Sequence, residues 1–192
     1  MSQLVDVEER LCHDHTATVC HCDNGKRSSL MGFAEVPDSG TTVPRIQIRK
    51  NPSVYTGAGK VGDFEWMLKQ PEYARSLFIF NDNETQFKAF HANQTGGLSA
   101  GGGNAVIRPF QGGAHPRAAG IPTGDGGGYQ HLDAHVMGVI DEALEYIKNL
   151  LESGRYNEIV FCTDQTGRTF GSGIYDIAPA VKNYIFQGLM GI

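Results

Sequence analysis

Apolar residues fall in two rhythms along this chain. Between residues 134 and 152 they recur every three or four positions, at Val136, Ile140, Ala143, Leu144, Ile147, Leu150 and Leu151. That spacing predicts an amphipathic helix, with Asp133 as its N-cap and Gly154 closing it. A second helix is expected from about Asp176, burying Ile177, Val181 and Ile185. Elsewhere the apolar residues form short continuous runs, Leu77 to Phe80, Ala118 to Pro122 and Ile159 to Thr163, each ending in polar residues. Continuous rather than alternating runs belong to strands covered on both faces, as in a parallel sheet. From residue 76 onward the order reads strand, glycine loop, helix, strand, long helix, strand, glycine loop, helix. The expected fold is therefore α/β, a three-layer sandwich around a mostly parallel sheet.

The first 75 residues read differently. Thr16 to Cys22 and Ser29 to Val36 form two expected strands of a hairpin turning at Asn24-Gly25. Ile46 and Ile48 alternate with Arg45, Gln47 and Arg49, which predicts a strand over 43–49, and Asn51 to Gly62 reads as loop. Asp63 can cap a short helix through Phe64, Met67 and Leu68 that stops before Pro71. The chain is thus expected to be a single domain over 1–192, with a β-rich N-terminal part (1–75) carrying the hairpin extension and an α/β core (76–192).

Length and composition agree with one buried core: 192 residues, 40% hydrophobic and 19% charged. A formal net charge of −5 argues against a broad surface for duplex nucleic acid. No apolar run reaches the length of a membrane span, and the N-terminus MSQLVDVEERL lacks the pattern of a signal peptide. The expectation is a soluble, cytoplasmic protein with no membrane partner; the composition leaves the oligomeric state open. Cys12, Cys20 and Cys22 lie among His13, His15 and His21. A zinc site from Cys12, His15, Cys20 and Cys22 lacks a second well-spaced pair, and small buried residues of the hairpin explain the cysteines as well. No metal or other required cofactor is expected.

Glycine is the informative residue. Twelve of the 25 glycines fall between Gly96 and Gly128, around SAGGGNAVIRPF (99–110) and TGDGGG (123–128). In open α/β sheets ligands lie beyond the carboxyl ends of strands, where these loops sit. A helix starting near Gly103-Asn104 would offer unpaired backbone amides to a phosphate, and glycine lets them approach it closely. The pattern is neither the Lys-Ser/Thr phosphate loop nor the G-x-G-x-x-G of a first βα turn. Gly112, Gly113 and Gly126 to Gly128 serve equally well to shape long loops. Arg108 suits either a phosphate or a nearby carboxylate. Asp82, Asp125 and Asp164 follow strand ends, where a ribose-binding carboxylate and a turn residue are both expected. His131 precedes the long helix, so it forms no metal pair with His135. His91 and His115 read as loop histidines. Cys162 reads as core.

The strand ending in Asn, the Gly-Gly-Gly loop into a helix, and Thr-Gly-Arg-Thr-Phe-Gly-Ser-Gly-Ile-Tyr before a last helix together resemble the macrodomain, an ADP-ribose-binding α/β fold. The segments Phe-Ile-Phe-Asn-Asp-Asn, Gly-Gly-Gly-Asn-Ala-Val-Ile-Arg and Ala-Gly-Ile-Pro-Thr are also similar to uncharacterised phage and bacterial proteins with FGDN, GGxAxIR and GIPT motifs, themselves Rossmann-like. The resemblance covers residues 76–188. It implies a site in which Asn81 or Asn83, beside Asp82, meets the distal ribose. Gly101, Gly102 and Gly103, leading to Asn104 and Arg108, form a first phosphate loop. Thr166, Gly167, Arg168, Thr169, Phe170, Gly171 and Gly173 form a second, with Phe170 or Tyr175 near ribose or adenine. Thr123, Asp125 and Asp164 complete the expected ligand-binding set. The chain departs from the family in a long first loop, Glu84 to Gly103, and in lacking an assignable adenine-contacting Asp near its N-terminus. The function implied is binding of an ADP-ribose-like or other phosphate-bearing nucleotide, with or without hydrolysis. No catalytic nucleophile or base can be named. The alternative is a non-catalytic sensor or interaction protein without a nucleotide ligand.

Overall fold

The computed structural model describes residues 47–171 and 173–192, all within one compact unit. Four strands, β1 (Arg49–Val54), β2 (Ser76–Asn83), β3 (Ala118–Gly124) and β4 (Glu158–Thr163), pair in the order β1-β4-β2-β3, and every pairing is parallel. Helices α1 (Phe64–Met67), α2 (Glu84–His91), α3 (Ala134–Glu152) and α4 (Pro179–Gly191), with two 3-10 helices (Pro71–Tyr73 and Gly103–Gln111), complete the described elements.

Alternation along the strands assigns the layers. Leu77 and Ile79 of β2, Ala119 and Ile121 of β3, and Ile159 and Phe161 of β4 meet Phe87 of α2, the buried stripe of α3 (Val136, Val139, Ile140, Ala143, Ile147, Leu151) and Val181, Ile185 and Leu189 of α4. Phe78, Phe80, Ala118, Val160 and Cys162 face the other way, onto Phe64, Met67 and Leu68 and onto Ala105 and Ile107 of the second 3-10 helix. The fold is a three-layer α/β sandwich. Asp133 caps α3 by accepting from the Val136 amide at 2.9 Å, and Asp63 caps α1 in the same way from Trp66.

Three boundaries differ from the sequence reading. The first strand begins at Arg49 and runs through Asn51 and Pro52 to Val54, where a loop was expected. Among the described residues β1 is an edge strand, paired only with β4, so the missing N–H of Pro52 need not join a ladder; Pro122 sits in the other edge strand of the described sheet, β3, for the same reason. The long loop from Glu84 contains α2, which starts directly after β2 with Asn83 as its N-cap, accepting from the Gln86 amide. The polar cluster that read as a strand end is thus the strand's last residues and a helix cap together. The last helix begins at Pro179 rather than near Asp176, with Ile177 buried just before it. The expected hairpin at 16–36, residues 43–46, Ser172 and the cluster of Cys12, Cys20 and Cys22 lie outside the described residues.

The β2–β3 ladder shifts register between Asp82 and Asn83, so that Asp82 opposes Pro122 and Asn83 opposes Gly124. Such an irregularity bends the strand and increases its twist at the sheet's carboxyl end. No described helix is long and apolar enough to cross a membrane.

Candidate functional site

A cleft of about 380 Å³ opens at the carboxyl ends of β2 and β3. Its walls come from Asn81, Asp82 and Asn83 of β2, and Thr123 and Gly124 of β3. Gly126, Gly127 and Gly128 follow β3, and Gly102, Ala105 and Arg108 come from the second 3-10 helix and its cap, with Tyr175 at the rim. The carboxyl ends of adjacent strands, the glycine-rich segment before the 3-10 helix and the TGDGGG turn therefore meet, as the sequence suggested.

The floor is an ion pair. Arg108 is buried, donating from Nε (2.9 Å) and Nη2 (2.5 Å) to Asp82 Oδ1 and from Nη1 to the Ser99 carbonyl (2.6 Å). Its guanidinium also lies 5.9 Å from the centre of the Phe80 ring. Of the two partners the sequence offered Arg108, a phosphate or a nearby carboxylate, the fold supplies the carboxylate, in the interior. Burial pushes the Asp82 carboxyl above its ordinary value, and the hydrogen bond and charge of Arg108 pull it back. Beside the pair, the Cys162 thiol donates to Asn81 Oδ1 at 3.1 Å. Burial raises that thiol to about 12, which favours its protonated form.

Each cleft glycine can be asked what a Cβ would meet. At Gly124 it would collide with the Gly127 carbonyl, and at Gly128 with the Asp176 carbonyl. Gly126 has φ +73°. Those three are required by the fold. Gly102 is not: its φ is −80° and a Cβ there meets nothing within 4 Å. Gly127 likewise has open space and no left-handed φ. Among the described residues, the amides of Gly102 and Gly103 have no hydrogen-bond acceptor, whereas Gly101 N–H donates to the Ala105 carbonyl at 2.9 Å.

The remaining candidates are elsewhere. Gly101 packs against Ala105 and Arg108, where a Cβ would come within 2.8 Å and 3.0 Å, and Gly103 (φ +56°) lies beside Ile174. Asn104 reaches the Cys162 thiol. Asp125 is exposed and accepts from the Thr85 hydroxyl at 3.0 Å. Residues 164–171 form a tight return to β4. Asp164 Oδ1 accepts from the Thr166 amide (3.1 Å) and hydroxyl (2.7 Å), the Gly167 amide donates to the Asp164 carbonyl (3.0 Å), and the Arg168 amide donates to Thr166 Oγ1 (3.3 Å). The Thr169 carbonyl accepts from the Asp164 amide, Phe170 bridges to Thr163, and the Gly171 amide donates to the Cys162 carbonyl at 2.9 Å. Phe170 is wholly buried in the α3–α4 layer, Gly171 backs onto Asn81, and exposed Gly173 precedes Tyr175. Among the described residues of this segment, Tyr175 alone lines the cleft.

One cluster went unread. Glu84, buried at the start of α2, accepts from Lys88 and from the Tyr129 hydroxyl and lies 3.0 Å from His135 Nε2. Burial alone would raise its carboxyl, but these three partners hold it down at about 2. The cluster ties α2 to the turn after β3 and to α3. Its only linear signal is the i, i+4 spacing of Glu84 and Lys88. His91 ends α2 instead of lying in a loop, half-buried against Phe87, Phe90 and Tyr146, and burial lowers its basicity.

Among the described residues no group of three or more His, Cys, Asp or Glu could hold a metal ion. Compared with known proteins, the chain matches no family model, no curated protein and no solved structure. What fold and site define is an α/β sandwich with a glycine-lined cleft at its strand ends.

Proposed function

We propose that this cleft binds a phosphate-bearing nucleotide, with ADP-ribose as the first candidate. The reading rests on Gly102: a cleft-lining glycine with ordinary φ and open space, where its own amide and that of Gly103 have no acceptor among the described residues. The fold itself leaves room for a Cβ there, and a bare backbone suits the close approach of a molecule entering the cleft. A Cβ-free approach to amide donors at a helix start is the physics of phosphate binding. Gly127 extends the bare surface, and Asn81, Asn83 and Thr123 supply polar groups for ribose hydroxyls. The positive charge of Arg108 is matched by Asp82, so backbone amides carry the anion's recognition.

The proposal is binding rather than turnover. The titratable side chains lining the cleft are Asp82, Arg108 and Tyr175; the first two hold each other, and the thiol beneath them is protonated. General acid–base catalysis needs a positioned group free to exchange its proton.

Calorimetric titration of wild type and Gly102→Val with ADP-ribose, beside melting curves, tests this. Losing one or two charge-assisted hydrogen bonds of about 1.5 to 3 kcal/mol each weakens affinity about tenfold to a thousandfold or more. The melting temperature should stay near that of wild type. Unchanged affinity in the mutant rejects the amide contact. A wild type that binds neither ADP-ribose, NAD nor AMP returns the protein to the class of non-catalytic interaction modules.

A further inference from the structure

The opposite end of the sheet carries a second concavity of about 420 Å³, lined by Ala74, Arg75, His115, Pro116, Arg117, Arg155 and Tyr156. Its chemistry follows from topology. Arg75 directly precedes β2, Arg117 directly precedes β3, and Arg155 stands three residues before β4. Because those strands are adjacent and parallel, their amino ends lie along one edge, and all three arginines line the concavity there. Each is anchored by backbone carbonyls: Arg75 by those of Arg155 (3.1 Å) and Gly154 (3.2 Å), Arg117 by those of Ser76 (3.3 Å) and Tyr73 (2.6 Å), Arg155 by that of Ala114 (2.7 Å). Among the described residues none of the three has a carboxylate in ion-pair contact. The buried carboxylate nearby, Glu158, is already matched by Arg49 at 2.8 Å, Asn51 and Ser76. Among the described residues no carboxylate offsets these three like charges, and an anion in the groove would relieve their mutual repulsion. Burial disfavours the charged form of Arg117, an effect that an anion would offset.

We propose that this arginine groove is an anion site, separate from the strand-end cleft, that takes a small molecule bearing two or more phosphate charges. Carbonyl anchors hold each guanidinium in place and leave further N–H groups to fork onto phosphate oxygens. A concave volume of this size suits a compact ligand, and the acidic chain disfavours an extended polyanion.

Inorganic pyrophosphate is the probe, titrated calorimetrically into the full chain at low and moderate salt. Wild type should bind it saturably, more weakly as salt rises. Arg75→Gln/Arg155→Gln, changing two exposed side chains, should bind it at least tenfold more weakly, whereas Gly102→Val should bind it as wild type does. Should the double variant melt early, Arg155→Gln alone carries the same readout. ADP-ribose binding should persist in the arginine variants, so the two sites stand or fall separately. No saturable binding by wild type below about 10 mM overturns the proposal, that being weaker than about 3 kcal/mol. So does a double variant that binds pyrophosphate as wild type does.

Discussion

The two ends of the sheet handle arginine in opposite ways. At the carboxyl end Arg108 is buried and tied to Asp82, and the cleft above it presents glycine backbone. At the amino end Arg75, Arg117 and Arg155 lean, among the described residues, on carbonyls alone, and the groove presents charge. The same residue type is a structural brace in one place and a field source in the other. What separates them is the neighbour: a carboxylate that can be buried alongside cancels the charge, and a carbonyl only orients it. Glycine divides in the same way. Gly124 is a steric necessity, and Gly127, three residues on, is free of any such demand.

The largest effect is expected from breaking the carboxyl-end brace. Asp82→Ala leaves Arg108 buried without a counterion and should lower unfolding free energy by about 3 to 5 kcal/mol. Urea denaturation measures it; a loss below about 1 kcal/mol would mean that water already reaches Arg108 and that the contrast between the two ends is false.

Next comes the contrast between neighbouring glycines. Gly124→Ala drives a methyl into the Gly127 carbonyl and should cost about 1 to 3 kcal/mol. Gly127→Ala should change stability by no more than about 0.5 kcal/mol. Equal melting curves for the two variants would remove the distinction on which the cleft reading depends.

The smallest effect concerns acid. Glu84 has its carboxyl lowered from 4.5 to about 2, so its clustered partners stabilise the fold fully above pH 4.5. That contribution is lost progressively as pH falls from 4.5 through about 2, because the unfolded chain takes up the proton first. Glu84→Gln should therefore flatten the acid limb of stability between those values and leave its slope near neutral pH unchanged. A parallel acid limb in mutant and wild type would show that Lys88, Tyr129 and His135 do not couple to folding.

Much of the fold was legible because it rests on local rules. The apolar runs of β2, β3 and β4 and the three- and four-residue spacing of α3 report burial directly, and Asp133 and Asp63 sit where cap chemistry requires. Errors arose where one residue type serves two states. Asn51-Pro52 reads as a turn, yet an edge strand accepts it; Asn83 reads as a strand-end loop, yet it caps a helix. The site was legible only as a neighbourhood. Strand ends and glycine loops marked where a ligand could lie, but not that residues 164–171 fold back on β4 as a tight turn and, unlike Tyr175 beyond them, do not line the cleft.

By itself the sequence determined the class of fold, since hydrophobic periodicity is read residue by residue and a parallel sheet needs helices on both faces. Only tertiary structure decided the chemistry of the two ends. Asp82 and Arg108 are 26 residues apart, and Arg75 and Arg155 are 80 apart. Whether a charge is cancelled or exposed depends on which strands become neighbours, and that order, β1-β4-β2-β3, is not written in any local pattern.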